Sequence, residues 1–308
     1  MVVIYIIIGV SAFLLIALLV LTFLLYKILF YSPIKEQNND FKLYDSPQFA
    51  GKEEYIIGMI TRLRAIPHKD IFAESYDKLE LHARLLQVEN SNKVAILFHG
   101  YRGTACRDFS GGAVELYSMG YNVILVDERA HGESEGHTIT FGKRERKDVL
   151  TWISKAKSLM GHDAEIVLVG ISMGGATVLY ASEFIDKNIK IIADCPYATP
   201  EEVIASGIQK LHLPVKLFFP IINLSLIIWG HTNLLGIDGS KSVKKSGCKI
   251  LIIHGDADTI VNYKFSKRIY LENRDKVQYE QFTDADHGLS YIVDDERYRN
   301  IIQTFLKK

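Results

Sequence analysis

No charged side chain occurs between Val2 and Tyr26, and within that run only Ser11 and Thr22 carry an aliphatic hydroxyl. Twenty-five residues at helical rise reach about 37 Å, enough to cross a hydrocarbon core of about 30 Å with some tilt. Met1 leads straight into the apolar run, and its end, Tyr26-Lys27-Ile28-Leu29-Phe30-Tyr31, offers no small-residue cleavage site, which predicts an uncleaved anchor rather than a signal peptide. Residues 31–50, with Pro33 and Pro47, read as a polar stalk, and Glu53 to Ile66 repeats apolar positions at helical spacing before Pro67.

Beyond residue 67 the pattern changes to short β-branched runs separated by longer mixed segments. Val94–Phe98, Val123–Val126, Glu165–Val169 and Cys248–Ile253 read as buried strands, Val277–Phe282 alternates like a strand, and Gly175–Ala181 is helix-compatible. This predicts an α/β fold with a mostly parallel central sheet flanked by helices, preceded by one transmembrane helix. An apolar stretch from Leu211 to Trp229 falls where a cap is expected, over about 197–247, and its prolines, Pro214 and Pro220, argue against a single long helix. It reads either as helices packed on the domain or as a lipid-facing or acyl-binding surface. The expected organisation is therefore an anchor at 1–30, a stalk and leading helix at 31–66, and one domain at 67–308.

Composition narrows the partners. The 308 residues carry 36 basic and 36 acidic side chains, a formal net charge of zero, and no basic stripe with interleaved aromatics, so nothing points to nucleic acid. Lys27, Lys35 and Lys42 follow the apolar run, which by the positive-inside rule places the domain on the cytoplasmic side of a cell membrane. Cys106, Cys195 and Cys248, odd in number and widely spaced, suggest no disulfide framework. Ten histidines raise the question of a metal, but no H-E-x-x-H or paired C-x-x-C occurs, and no phosphate-binding G-x-x-x-x-G-K-[ST] is present; no cofactor is expected.

The chemistry centres on Gly170-Ile171-Ser172-Met173-Gly174, a G-x-S-x-G set between a strand run and a helix run. Such a turn lifts the serine hydroxyl clear of a sheet and points the next amide, that of Met173, at the same space. A serine needs a base and an orienting acid. Asp256 and Asp258 both follow the strand ending at Ile253, with Asp258 favoured and Asp194 a further alternative, and His287 is the only histidine after Asp258. The order Ser, Asp, His is that of the α/β-hydrolase fold. A second oxyanion amide is expected from Tyr101, in the loop His99-Gly100-Tyr101-Arg102-Gly103 after the Val94–Phe98 strand.

Together with Asp127-Glu128-Arg129-Ala130-His131-Gly132-Glu133-Ser134 and Gly255-Asp256-Ala257-Asp258-Thr259-Ile260-Val261, these motifs resemble the α/β-hydrolase superfamily over about residues 70–308. The likeness is greatest to its serine aminopeptidase-like and prolyl-oligopeptidase-like single-domain branch. The resemblance implies Ser172 as nucleophile, Asp258 as acid, His287 as base, the amides of Tyr101 and Met173 as oxyanion donors, and a structural role for Arg129 and His131. A proline often found near the acid turn is replaced here by Ile260-Val261-Asn262. The expected activity is hydrolysis of small-molecule or lipid-like carboxylic esters or thioesters. The alternatives are a peptidase of the same fold and a non-catalytic membrane-tethered binding protein. Oligomeric state is not legible.

Overall fold

The computed structural model describes residues 1–32, 40–43 and 49–307. Pro33, Lys35 and Pro47 of the expected stalk lie outside the described residues. Strands β1 (Lys69–Glu74), β2 (Glu80–Leu86), β3 (Lys93–Phe98), β4 (Asn122–Val126), β5 (Glu165–Ile171), β6 (Lys190–Asp194), β7 (Ile250–Gly255) and β8 (Val277–Phe282) form one sheet in the order β1-β2-β4-β3-β5-β6-β7-β8. Strand β2 runs antiparallel to β1 and β4, and every other pair is parallel. Because a parallel strand covered by helices buries both faces, the inner strands are continuous apolar runs; all of β4 and β7 is buried.

The helices are α1 (Val2–Leu29), α2 (Glu53–Arg64), α3 (Ala105–Asp108), α4 (Gly112–Ser118), α5 (Glu145–Met160), α6 (Met173–Ala181), α7 (Pro200–Lys210), α8 (Val215–Gly230), α9 (Gly239–Lys245), α10 (Tyr263–Glu272), α11 (Ser290–Val293) and α12 (Asp295–Lys307). Alternation along β3 splits the core. Ile96 packs on one face with Trp152 of α5 and Val178 of α6, while Leu97 packs on the other with Leu116 of α4 and Phe305 of α12. Parallel register places Phe98 beside Gly170 and Ile171 beside Asp194, so the carboxyl ends of β3, β5 and β6 finish at one level.

Helix α7 starts with a capping box between Thr199 and Glu202 and has Pro200 in its first turn. The chain breaks before Pro214, as the proline argument expects, but Pro220 sits inside α8 without ending it. Packing of α8 along α1 outweighs the lost backbone bond.

That packing changes the status of α1. Thr22, Tyr26 and Phe30 recur every four residues on one face and are buried, whereas Val2–Leu21 is exposed throughout. The Tyr26 and Thr138 hydroxyls lie 2.6 Å apart, the Ile139 amide donates to the Phe30 carbonyl at 2.8 Å, and the Phe30 ring meets Phe141 edge-on at 5.9 Å. The last turns of the apolar helix are thus built into the globular part. Phe30→Ala is expected to destabilise the fold by about 3–5 kcal/mol, against less than about 0.5 kcal/mol for Leu14→Ala. Equal unfolding midpoints for the two variants in detergent would remove this reading.

Candidate active site

Ser172 stands at the junction of β5 and α6 with φ +54° and ψ −113°. A side-chain-bearing residue holds such a backbone only where its surroundings enforce it. The enforcement comes from Gly170 and Gly174: a Cβ on Gly170 would lie 2.2 Å from the Gly174 carbonyl oxygen, and one on Gly174 would lie 1.9 Å from that of Phe98. Only glycine lets the strand, the turn and β3 approach so closely. The Ser172 amide donates to the Asp194 carbonyl at 2.8 Å, which fixes the turn to β6.

Three of the sequence-predicted residues meet here. His287 Nε2 lies 2.9 Å from Ser172 Oγ, and His287 Nδ1 lies 2.7 Å from Asp258 Oδ2. The neighbouring alternatives are turned elsewhere. Asp256 accepts from the Asp284 amide at 2.8 Å and from Gln281 at 3.2 Å, and Asp194 Oδ2 accepts from the Tyr298 hydroxyl at 2.9 Å. Without the proline, the acid turn is formed by Asp258 Oδ1, which accepts from the Ile260 and Val261 amides at 2.8 and 2.7 Å.

Burial by itself would raise the Asp258 pKa, but the charge and hydrogen bond of His287, joined by those of His254, hold it well below the usual carboxylate range. For His287, burial opposes the imidazolium, and the Asp258 carboxylate outweighs it, so its pKa is raised above the ordinary histidine value. Burial pushes Asp194 up to about 6, against the Tyr298 hydrogen bond.

The loop after β3 passes directly beside Ser172, since a Cβ on Gly100 would lie 3.4 Å from Ser172 Cβ. It is pinned from three sides. Asp108 Oδ2 accepts from the Gly100 amide at 2.8 Å, and His131 Nε2 accepts from the Arg102 amide at 3.1 Å. The end of α1 supplies the third, its Leu29 carbonyl accepting from the Tyr101 hydroxyl at 2.8 Å and its Ile28 carbonyl from the Arg102 guanidinium at 2.7 Å. His131 must be neutral to accept, and burial pushes its pKa down to about 3. Met173, the first residue of α6, carries one of the amides that a helix leaves without an internal acceptor. Tyr101 and Met173 therefore flank Ser172 from two elements.

Histidines that could suggest a metal are occupied in holding backbone: His99 Nδ1 donates to the Gly100 carbonyl at 2.8 Å and its Nε2 accepts from the Glu128 amide at 3.1 Å. Arg129 is buried in a bidentate pair with Asp148 at 2.6 Å and also reaches Asp77 at 2.9 Å, fixing the segment after β4. Among the described residues, ligand-type atoms of Cys195, Asp258 and His287 lie within 4.8 Å of one another, yet the last two spend their facing atoms on each other.

Sequence reasoning missed two features. His254, four residues before Asp258, donates from Nε2 to Asp258 Oδ2 at 3.0 Å, making the acid an acceptor of two imidazoles. The spacing in His254-Gly255-Asp256-Ala257-Asp258 carried that signal. Beside Ser172 opens a cavity of about 390 Å³ whose apolar walls include Phe49, Ile56 and Met59, and no residue of 197–247 lines it. The apolar face of α2 lines the cavity.

A family profile described as serine aminopeptidase, S33 matches residues 89–224. The chain is 29% identical to YqkD of Bacillus subtilis over 191 residues, covering 61% of this chain and 63% of that one. It is 26% identical to lysophosphatidylserine lipase ABHD12 of Gallus gallus over 234 residues, covering 70% of this chain and 59% of that one. The chain thus spans about three fifths of the length of these relatives. In fold it is similar to the Pyrococcus furiosus esterase Pf2001, with a TM-score of 0.65 and 24% identity over 80% of this chain and 92% of the other. With its eight-stranded sheet in this order, the chain has the α/β-hydrolase fold, and the profile match over residues 89–224 supports its assignment to that superfamily.

Proposed function

We propose that the chain is a membrane-anchored serine hydrolase that cleaves carboxylic esters or thioesters through an acyl-enzyme on Ser172. The observation that carries this is the relay from Ser172 Oγ to His287 Nε2 at 2.9 Å and from His287 Nδ1 to Asp258 at 2.7 Å. Ser172 Oγ attacks the carbonyl carbon as its proton passes to His287 Nε2, and the carbonyl electron pair moves onto oxygen, facing the Tyr101 and Met173 amides. Collapse breaks the bond to the leaving alcohol or thiol, which takes the proton from Nε2. Water then repeats the sequence and releases the acid. Asp258 stays ionised and holds the Nδ1–H.

The apolar cavity walls and relatives named as lysophosphatidylserine lipases support an acyl ester with lipid character as substrate. The serine aminopeptidase profile favours a second reading, peptide hydrolysis. Faster turnover of an aminoacyl amide than of any acyl ester by the full chain would install it.

Ser172→Ala is expected to lower kcat/KM for p-nitrophenyl esters by about 10⁴-fold or more with the unfolding midpoint unchanged. Equal rates for variant and parent, with the parent unlabelled by a fluorophosphonate, would point to the binding-protein reading.

The base must be neutral, and its pKa is raised, so kcat/KM is expected to fall with decreasing pH along a limb centred above about 6.5. The same shift adds stability below the unfolded histidine pKa that is lost as pH rises through the folded value. Asp258→Asn removes the charge that raises His287. The limb is therefore expected to move to lower pH with kcat down about 10⁴-fold; an unmoved limb would sink the assignment.

Lys27 in the last turn of α1 and Lys42 after it support a cytoplasmic domain. A reporter fused after Lys308 that is active only in the cytoplasm is the expected outcome, and one active only outside reverses the topology.

A further inference from the structure

Helix α8 is apolar on its outer face as well as on the face that Ile222 and Leu226 bury. Asn223 and Ser225 are turned inward, while Leu217 is 58% and Ile227 45% exposed. The inward polar atoms are satisfied: Asn223 Oδ1 accepts from the Leu234 amide at 2.8 Å, and Ser225 Oγ donates to the Ile222 carbonyl at 2.7 Å. Leu217, Pro220, Leu224 and Ile227 follow at steps of three and four residues, so they form one stripe along the helix. Lys216 is the only charged residue of α8. Leu211, in the turn before the helix, is also exposed, at 70%. Isolated exposed apolar side chains are ordinary; an apolar stripe on the outer face of a helix whose inner face, Ile222 and Leu226, is already packed in the core is not.

The neighbour of α8 indicates what covers the stripe. The exposed part of α1, Val2–Leu21, spans 20 residues, or about 30 Å of helix, the thickness of a hydrocarbon core. Thr22 is where protein packing begins. At that level Trp229, near the end of α8, donates from Nε1 to Thr22 Oγ1 at 3.2 Å and meets the Phe23 ring edge-on at 5.0 Å. Indole side chains favour the boundary between acyl chains and headgroups. The carboxyl end of α8 therefore stands where α1 leaves the hydrocarbon.

We infer that α8 lies in the boundary layer of the bilayer that α1 crosses, with its Leu217–Ile227 stripe against lipid acyl chains. An interfacial helix of this kind buries its apolar face by about 5–10 Å. The contact is continuous with the spanning helix and is independent of any catalytic role. It also sets the domain's distance from the membrane, because the loop bearing Tyr101 is tied to the same end of α1.

The test uses the full chain in phosphatidylcholine vesicles. The native cysteines Cys106, Cys195 and Cys248 are all buried, so a thiol-reactive environment-sensitive dye will mark a new surface cysteine. Leu217→Cys, Ile227→Cys and Leu159→Cys are labelled separately; Leu159 is exposed in the last turn of α5, just before the loop that enters β5 at its amino end. Dye at 217 and 227 is expected to be quenched several-fold more strongly by spin-labelled lipid than dye at 159, and to be shielded from aqueous iodide. Iodide quenching at 217 and 227 equal to that at 159 would overturn the inference. Shielding from both quenchers would overturn it too, in favour of a second copy covering the stripe. Circular dichroism identical to the parent establishes that each labelled protein is folded.

Discussion

The close approach of β3, β5 and α6 at Gly170 and Gly174 is the constraint on which the rest of the site depends. There is no room at either position for a Cβ, and the adjoining Ser172 is held at φ +54° because the packing on both sides leaves no other path. From that one turn follow the direction of the Ser172 hydroxyl, the start of α6 at Met173 and the contact with the Gly100 backbone. The sheet register does the remainder by ending β3, β5 and β6 at a common level.

Electrostatics complete what packing begins. Asp258 is fully buried as a side chain, yet it accepts from His287, His254 and two amides, so its charge is compensated on every side. Other buried groups are arranged by the same logic. His131 is kept neutral so that it can accept from the Arg102 amide, and Arg129 is locked between Asp148 and Asp77. These groups fix loops that carry backbone amides, where a small displacement matters more than a lost contact elsewhere.

Much of this was legible along the chain because it is local. Strand ends marked by Gly170, Gly255 and the turn at His287 put the chemistry at the carboxyl edge of a parallel sheet, where such folds place it. Motif position favoured Asp258 over Asp256 in the sequence, although both occupy one turn, and the hydrogen bonds separate them through the side-chain directions. The cavity wall was not legible: Phe49, Ile56 and Met59 are far from Ser172 in sequence, and an apolar helix face does not name what it covers. Likewise the composition of α8 shows an apolar helix, but only its place beside Thr22 and Tyr26 shows which face is turned outward. Pro220 misled because tertiary packing outweighs a local preference.

The N-terminal part of the chain is accordingly built into the globular part. The end of α1 holds the loop of Tyr101 and Arg102, and α2 roofs the cavity. The most direct test of the central claim is to find which atom becomes acylated. The full chain in detergent would be reacted with a fluorophosphonate, digested and mapped by mass spectrometry. The account expects one adduct per chain, on Ser172, abolished in His287→Ala. An adduct on another residue, or none on folded protein, would contradict it.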